Sequence, residues 1–264
     1  MTVAESIIIA IVEGITEFIP ISSTGHMIIA EKLLHTTDDP FTKVFTVAIQ
    51  LGAILAVVVL YAKKFFNFSH WQFYAKLAVG VIPALIIGLL LSDRIDDMLD
   101  SSLTVAITMV VGGIVLIFID KVFKNPVIKD EKQVTYLNAF IIGVWQCIAM
   151  IPGVSRSAAS IIGGMQQKLT RNAAAEFSFF LAVPTMLAAA VYKIYNHLNE
   201  NGSFTSEEIK LLTIGNIVAF IVALLAIKFF ITFLKKYGFR VWGIYRVVVG
   251  IALLILIYSG GIDK

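Results

Sequence analysis

Six stretches of this chain, near 42–62, 73–92, 102–120, 172–195, 209–232 and 241–259, are apolar for about twenty residues each. Such a run crosses hydrocarbon only as a helix, which satisfies its own backbone donors and acceptors. Of the 264 residues, 58% are hydrophobic and 15% charged, and the mean hydropathy is +0.88. A soluble domain carries about a quarter charged residues. The fold class is therefore an all-α polytopic integral membrane protein. The single cysteine, Cys147, lies in an apolar run and excludes a disulfide framework or a cysteine-based metal site. A net charge of +3, carried in short clusters between apolar runs, implies no nucleic-acid partner. The first residues hold Glu5 and no basic segment, so no cleavable signal peptide is expected.

Polar residues inside this apolar background carry the functional signal. Glu13 to His26 reads E-G-I-T-E-F-I-P-I-S-S-T-G-H. Glu13 and Glu17 are four apart and share a helix face. Pro20 ends or kinks that helix, and Ser22, Ser23, Thr24 and Gly25 form a polar turn before His26. An acid at the centre of a bilayer costs about 2.5–3.5 kcal/mol, and two on one face require a proton, a cation or an arginine between them. Apolar residues 26–34 are too few to span, so 3–34 is expected to be a re-entrant hairpin. The second stretch, Pro152-Gly153-Val154-Ser155-Arg156-Ser157-Ala158-Ala159-Ser160, follows the apolar run 135–151. With 158–167 it forms a second re-entrant candidate.

The two halves look like copies. Ile19-Pro20 aligns with Ile151-Pro152, Ser23 with Ser155, Phe45 with Phe177, and Val110-Val111-Gly112 with Val248-Val249-Gly250. The expected architecture is a single membrane domain over 1–264, with repeat one at about 1–120, a connector 121–134 and repeat two at about 135–264. Each repeat is a re-entrant helical hairpin plus three transmembrane helices. An odd number of spans makes the second an inverted-topology copy, with a site where the broken elements meet. Lys63, Lys64, Lys76, Lys121, Lys124, Lys129, Lys132, Lys168, Arg171, Lys235, Lys236 and Arg240 fall on one face. The other face is acidic, notably in Asp93–Asp100. The basic face is expected in the cytoplasm, with both termini and the hairpin entrance outside.

Arg156 carries a permanent charge whose fork matches phosphate oxygens, and Gly153 permits the tight turn before it. Ser155, Ser157 and Ser160 add hydroxyls, so this stretch reads as an anion cradle. Glu13 and Glu17 suit a hard divalent cation, Mg²⁺ or Ca²⁺, or form a proton-sharing structural pair. Gln50, Glu176, Lys228 and Arg246 are expected to satisfy one another or to sit near the cytoplasmic interface. Tyr245, like Trp71, Trp145, Trp242, Tyr61 and Tyr136, reads as an interface anchor or packing residue.

Glu13-Gly14-Ile15-Thr16-Glu17-Phe18 with Ser22-Ser23-Thr24-Gly25-His26, and Pro152-Gly153-Val154-Ser155-Arg156-Ser157, closely resemble the two signature stretches of the bacterial undecaprenyl-diphosphate phosphatases, the bacitracin-resistance family. The likeness extends to Ile49-Gln50-Leu51-Gly52 and Ala175-Glu176-Phe177-Ser178-Phe179 and covers essentially the whole chain. That family's second motif usually ends in threonine, where this chain keeps a hydroxyl as Ser160. The resemblance implies hydrolysis of undecaprenyl diphosphate to undecaprenyl phosphate and inorganic phosphate. It also implies recycling of the lipid carrier of cell-wall synthesis in the bacterial inner membrane, at a site open to the extracytoplasmic side. In this reading Glu17, Ser23, His26 and Arg156 are catalytic, with either Ser23 or His26 at the phosphorus. Ser22, Thr24, Gly25, Gly153, Ser155, Arg156, Ser157 and Ser160 bind substrate, and Glu13 and Glu17 hold the metal. The expected partners are the polyprenyl diphosphate and membrane lipid; a homodimer is compatible but not specified. A polyprenyl-phosphate flippase with the same headgroup site is the alternative.

Overall fold

The computed structural model describes residues 1–37, 39–91 and 101–261. Its helices are α1 (Val3–Thr16), α2 (Ser23–Leu33), α3 (Pro40–Ala48), α4 (Gln50–Leu60), α5 (Ala62–Phe65), α6 (Trp71–Leu90), α7 (Ser102–Val122), α8 (Tyr136–Cys147), α9 (Arg156–Gln166), α10 (Arg171–Asn201), α11 (Ser206–Tyr237) and α12 (Arg240–Tyr258). Among the described residues the only β pairing is an isolated bridge between Ile128 and Leu169. Six helical stretches are long and apolar enough to cross a membrane: Phe41–Leu60, which joins α3 and α4, then α6, α7, α10, α11 and α12. They fall where hydropathy places them.

The remaining helices are short. At 14 residues α1 is about 21 Å long, and α2 and α9, at 11 each, are about 16 Å. None reaches across a hydrocarbon core of about 30 Å. Four of them form pairs, α1 with α2 and α8 with α9, so their shared polar turns are enclosed by protein. The long helices wall them in: α1 packs on α11, α2 on α7, and α9 on α10. Helix starts are fixed locally by hydroxyl caps. Thr2, Thr135 and Thr205 each accept the N–H three residues on, and Glu5, Asn138 and Glu208 return a bond to the cap.

Two links tie the basic loops together at one end of the bundle. Lys64 Nζ meets Glu131 Oε2 at 2.5 Å, bringing the 61–70 segment to the connector. Asp120 accepts from Arg171 Nε at 2.6 Å and from the Phe239 amide at 2.9 Å, joining α7 to the starts of α10 and α12. At the opposite end the Met1 ammonium pairs with Asp39 at 2.9 Å. The acidic loop Asp93–Asp100, Asp38 and Lys264 lie outside the described residues.

Among the described residues, Gln50, Glu176 and Arg246 show no bond to one another, and Glu176 lies at the basic-loop end of the bundle, in keeping with the interfacial alternative. Gln50 lies beside Glu13, Glu176 sits 3.7 Å from Lys64, and Arg246 is wholly buried against three backbone carbonyls. They lie at different helix junctions, and each takes the partner its own junction offers.

Candidate active site

The two polar turns meet in the interior. Each ends in a serine at an unusual backbone setting, Ser22 at φ 73°, ψ 95° and Ser155 at φ 75°, ψ 115°. Both hydroxyls cap the helix that follows, accepting from Gly25 N at 3.4 Å and Ala158 N at 3.3 Å. A positive φ in a residue with a Cβ costs about 1–3 kcal/mol and persists only where the surroundings impose it. By cap role Ser22 is therefore the counterpart of Ser155, one residue away from the Ser23–Ser155 match that the sequences suggest. On that register Glu13 and Gln146 stand equally far ahead of their caps. Each keeps one buried side-chain oxygen without a hydrogen-bond partner.

Between the turns runs a continuous polar contact. Ser23 Oγ donates to Glu17 Oε2 at 2.6 Å, and Arg156 Nη2 donates to Glu17 Oε1 at 3.0 Å. Arg156 Nη1 donates to the Ser178 carbonyl at 3.2 Å, its Nη2 also lies 3.5 Å from Met186 Sδ, and its Nε is buried with no partner. The guanidinium lies 5.5 Å from the Phe18 ring centroid. Glu17 is buried and Ser23 half-buried, so hydroxyl, carboxylate and arginine interact with little water between them.

His26 points elsewhere. Its Nδ1 is 2.8 Å from the Ser22 carbonyl, and its Nε2 is 2.9 Å from Tyr245 Oη. A carbonyl only accepts, so Nδ1 carries the hydrogen. The neutral ring then offers its Nε2 lone pair to the Tyr245 hydroxyl. Tyr245 stacks on the imidazole with the planes 4° apart. Sequence reasoning takes Tyr245 for an anchor or packing residue because an aromatic in an apolar span resembles any other.

The other site residues divide by what their polar atoms touch. Ser157 Oγ donates to the Ile19 carbonyl at 3.1 Å, stitching the second turn to the first. Ser160 Oγ bonds the Arg156 carbonyl at 2.9 Å and Ser178 Oγ at 2.6 Å. Both serines are fully buried and hold Arg156 and its turn in place. Ser155 Oγ is 3.2 Å from Ser157 Oγ; Thr24 is half-buried on the first turn of α2. Gly153, at φ +83°, lies so close to α7 that a Cβ would sit 2.2 Å from Thr108 Oγ1. Gly25 lies equally close to the Met109 sulfur. Arg246 donates to the carbonyls of Met109, Thr108 and Gly153, fastening the second turn to α7.

Glu13 lies beside Glu17 and Gln50, and its buried Oε1 has no hydrogen-bond partner. This orphaned oxygen beside a second carboxylate suits a hard cation. Among the described residues no three His, Cys, Asp or Glu side chains gather as a ready metal cluster. The protein thus offers two carboxylates, and water or substrate oxygens would complete a coordination shell.

The family model described as Bacitracin resistance protein BacA matches residues 6–252. The chain is 58% identical over 256 residues to an undecaprenyl-diphosphatase of Flavobacterium psychrophilum, covering 97% of this chain and 96% of that protein. It is 50% identical to an undecaprenyl-diphosphatase of Porphyromonas gingivalis, over 98% of each chain. A Clostridioides difficile protein named undecaprenyl-diphosphatase 1 is 42% identical over 96% of each. With the motif-bearing turns and nearly the full length included in these matches, the chain belongs to the bacitracin resistance protein BacA family.

Proposed function

We propose that this chain hydrolyses undecaprenyl diphosphate to undecaprenyl phosphate and inorganic phosphate. The names of its relatives supply the substrate class. The observation that carries the reading is the contact series Ser23–Glu17–Arg156, in which a hydroxyl is bonded to a carboxylate that a guanidinium holds. Nucleophile, base and charge stabiliser are then in direct contact.

Ser23 Oγ passes its proton to Glu17 Oε2 as it bonds to the terminal phosphorus. The bond from that phosphorus to the bridging oxygen breaks, and undecaprenyl phosphate departs. Water then displaces the phosphoryl group from the serine. His26 Nε2 takes a proton from that water and gives it to the leaving phosphate, while Glu17 returns the first proton to Ser23. Arg156 turns its donors to the transferred phosphoryl oxygens, where positioning and charge stabilisation dominate the catalysis. Ser22, Thr24, Gly25, Gly153 and Ser155 line the two helix N-termini, whose free amides favour an anion. Glu13 and Glu17 would hold a divalent cation, Mg²⁺ or Ca²⁺, which when bound supplies positive charge beside the diphosphate.

The same reading makes the halves inverted repeats, each a re-entrant hairpin plus three spans. The paired short helices and the matched caps at Ser22 and Ser155 support it. The protein would sit in the bacterial inner membrane with the site open to the extracytoplasmic side. There it would recycle the carrier lipid for peptidoglycan synthesis and so confer bacitracin resistance. The second reading, a flippase for the same headgroup, is favoured by the broken-helix architecture that transporters use.

Phosphate release from undecaprenyl diphosphate by purified protein in detergent tests both. Wild type should release phosphate, and Ser23→Ala should lose that activity. Retained hydrolysis in Ser23→Ala alongside loss in His26→Ala moves the nucleophile to His26. Headgroup translocation in vesicles with no phosphate release by wild type selects the flippase.

A further inference from the structure

Tyr245 and Arg246 are consecutive on α12 but serve different turns. Arg246 donates to the Gly153 carbonyl in the second turn, and the Tyr245 hydroxyl lies 2.9 Å from His26 Nε2 at the first. The guanidinium, wholly buried and bonded also to the Met109 and Thr108 carbonyls, fixes this part of α12 against α7. Tyr245 is therefore carried on a part of the helix with little freedom to move.

We propose that Tyr245 is the positioning residue of His26, holding the ring with hydrogen on Nδ1 and the lone pair on Nε2, directed at the Tyr245 hydroxyl. Two contacts do this together. The Ser22 carbonyl at 2.8 Å claims Nδ1–H, and the Tyr245 hydroxyl donates to Nε2. A half-turn of the imidazole about its Cβ–Cγ bond would set ring carbons against both oxygens and lose both bonds. The phenol ring, parallel within 4°, opposes tilting out of that plane. Tyr245 is itself 42% exposed, so the hydroxyl that covers Nε2 lies outside the packed core.

This inference rests on the reading of His26 as the proton carrier, and it assigns Tyr245 no contact with the reacting atoms. The variant that isolates it is Tyr245→Phe, which keeps the ring stack and removes only the hydroxyl. One neutral hydrogen bond carries roughly a three- to tenfold effect. Tyr245→Phe should lower kcat by about that factor with KM within twofold of wild type. In a His26→Ala background the same change should cost nothing further, because its only route of action is gone. Nitrogen NMR of histidine-labelled protein, with His26 assigned by its loss in His26→Gln, gives a readout independent of turnover. Wild type should show one tautomer with Nε2 unprotonated, and Tyr245→Phe should show a mixture.

Wild-type kcat in Tyr245→Phe, with His26→Ala impaired, would overturn the proposal. So would equal losses from Tyr245→Phe in the presence and absence of His26. Full hydrolysis by His26→Ala would remove His26 from the mechanism. The nitrogen spectra would then decide the positioning claim alone, and an unchanged tautomer in Tyr245→Phe would refute it.

Discussion

Gly153→Ala tests how tightly the second turn is held against α7. A Cβ at this position would lie 2.2 Å from Thr108 Oγ1 and 2.5 Å from the Val105 carbonyl, with the backbone at φ +83°. The left-handed setting costs an alanine about 1–2 kcal/mol. Forcing a methyl into a filled space adds about 1–3 kcal/mol. Thr108 cannot simply rotate away, since its hydroxyl also donates to the Pro152 carbonyl at 2.6 Å. The sum is about 2–5 kcal/mol on a turn whose next residues include Ser155 and Arg156. Two other glycines separate the terms. Gly202 also has a positive φ, +82°, and nothing within 4 Å, so Gly202→Ala should show a backbone cost with no steric one. Gly25→Ala meets the Met109 sulfur at 2.1 Å, the far end of a flexible side chain that can move. Thermal unfolding midpoints in detergent should therefore fall most for Gly153→Ala. Its phosphate release should drop on the order of 10²-fold, because a displacement of about 1 Å at Arg156, the proposed phosphoryl ligand, is enough. A Gly153→Ala protein as stable as Gly202→Ala and as active as wild type would refute the argument.

Arg156→Ala should lose about 10²–10³ in rate, the usual consequence of removing one preorganised donor to developing charge, and Arg156→Lys should recover only part of it. Undiminished hydrolysis in Arg156→Ala would remove it from the site. Glu17→Gln should abolish activity, and chelation should stop the wild type with restoration by Mg²⁺ or Ca²⁺; full turnover in chelator would free Glu13 and Glu17 from a metal role. For topology, cysteines at Ser259 and Asn125 in a Cys147→Ser background should differ on intact cells. An impermeant thiol reagent should mark the Ser259 position, and marking only at Asn125 would invert the orientation.

Hydropathy alone was enough to place the spans, because every crossing needs about twenty apolar residues and one backbone solution. The motif residues Glu17, Ser23 and Arg156 could be picked out for a related reason: charge and hydroxyls in hydrocarbon are too costly to be incidental. Adjacency was harder to read. Periodicity gives the face of a helix but not its neighbour, so Arg246 reads as a partner of other polar residues or an interfacial charge, and Tyr245 as an anchor or packing residue. The roles of Ser157 and Ser160 were hidden for the same cause, since a serine near an arginine resembles a ligand donor until the Ile19 carbonyl and Ser178 are seen beside it. The one-residue shift of the caps was also invisible in the sequence. It depends on which hydroxyl reaches the amide three residues on, and Ser22 and Ser23 are the same residue type.

The bond between Glu17 and Arg156 spans 139 residues of chain. Synthesis proceeds at about 5–20 residues per second, so the carboxylate precedes its guanidinium by roughly 7 to 28 s. During that interval the first helix pair must persist in the membrane, or at its edge, with Glu17 lacking its guanidinium partner. The stitch from Ser157 to the Ile19 carbonyl is missing as well. Assembly of the centre is thus a late event in biogenesis, and a chain stopped before Arg156 leaves an acidic, unfinished helix pair for membrane quality control to recognise.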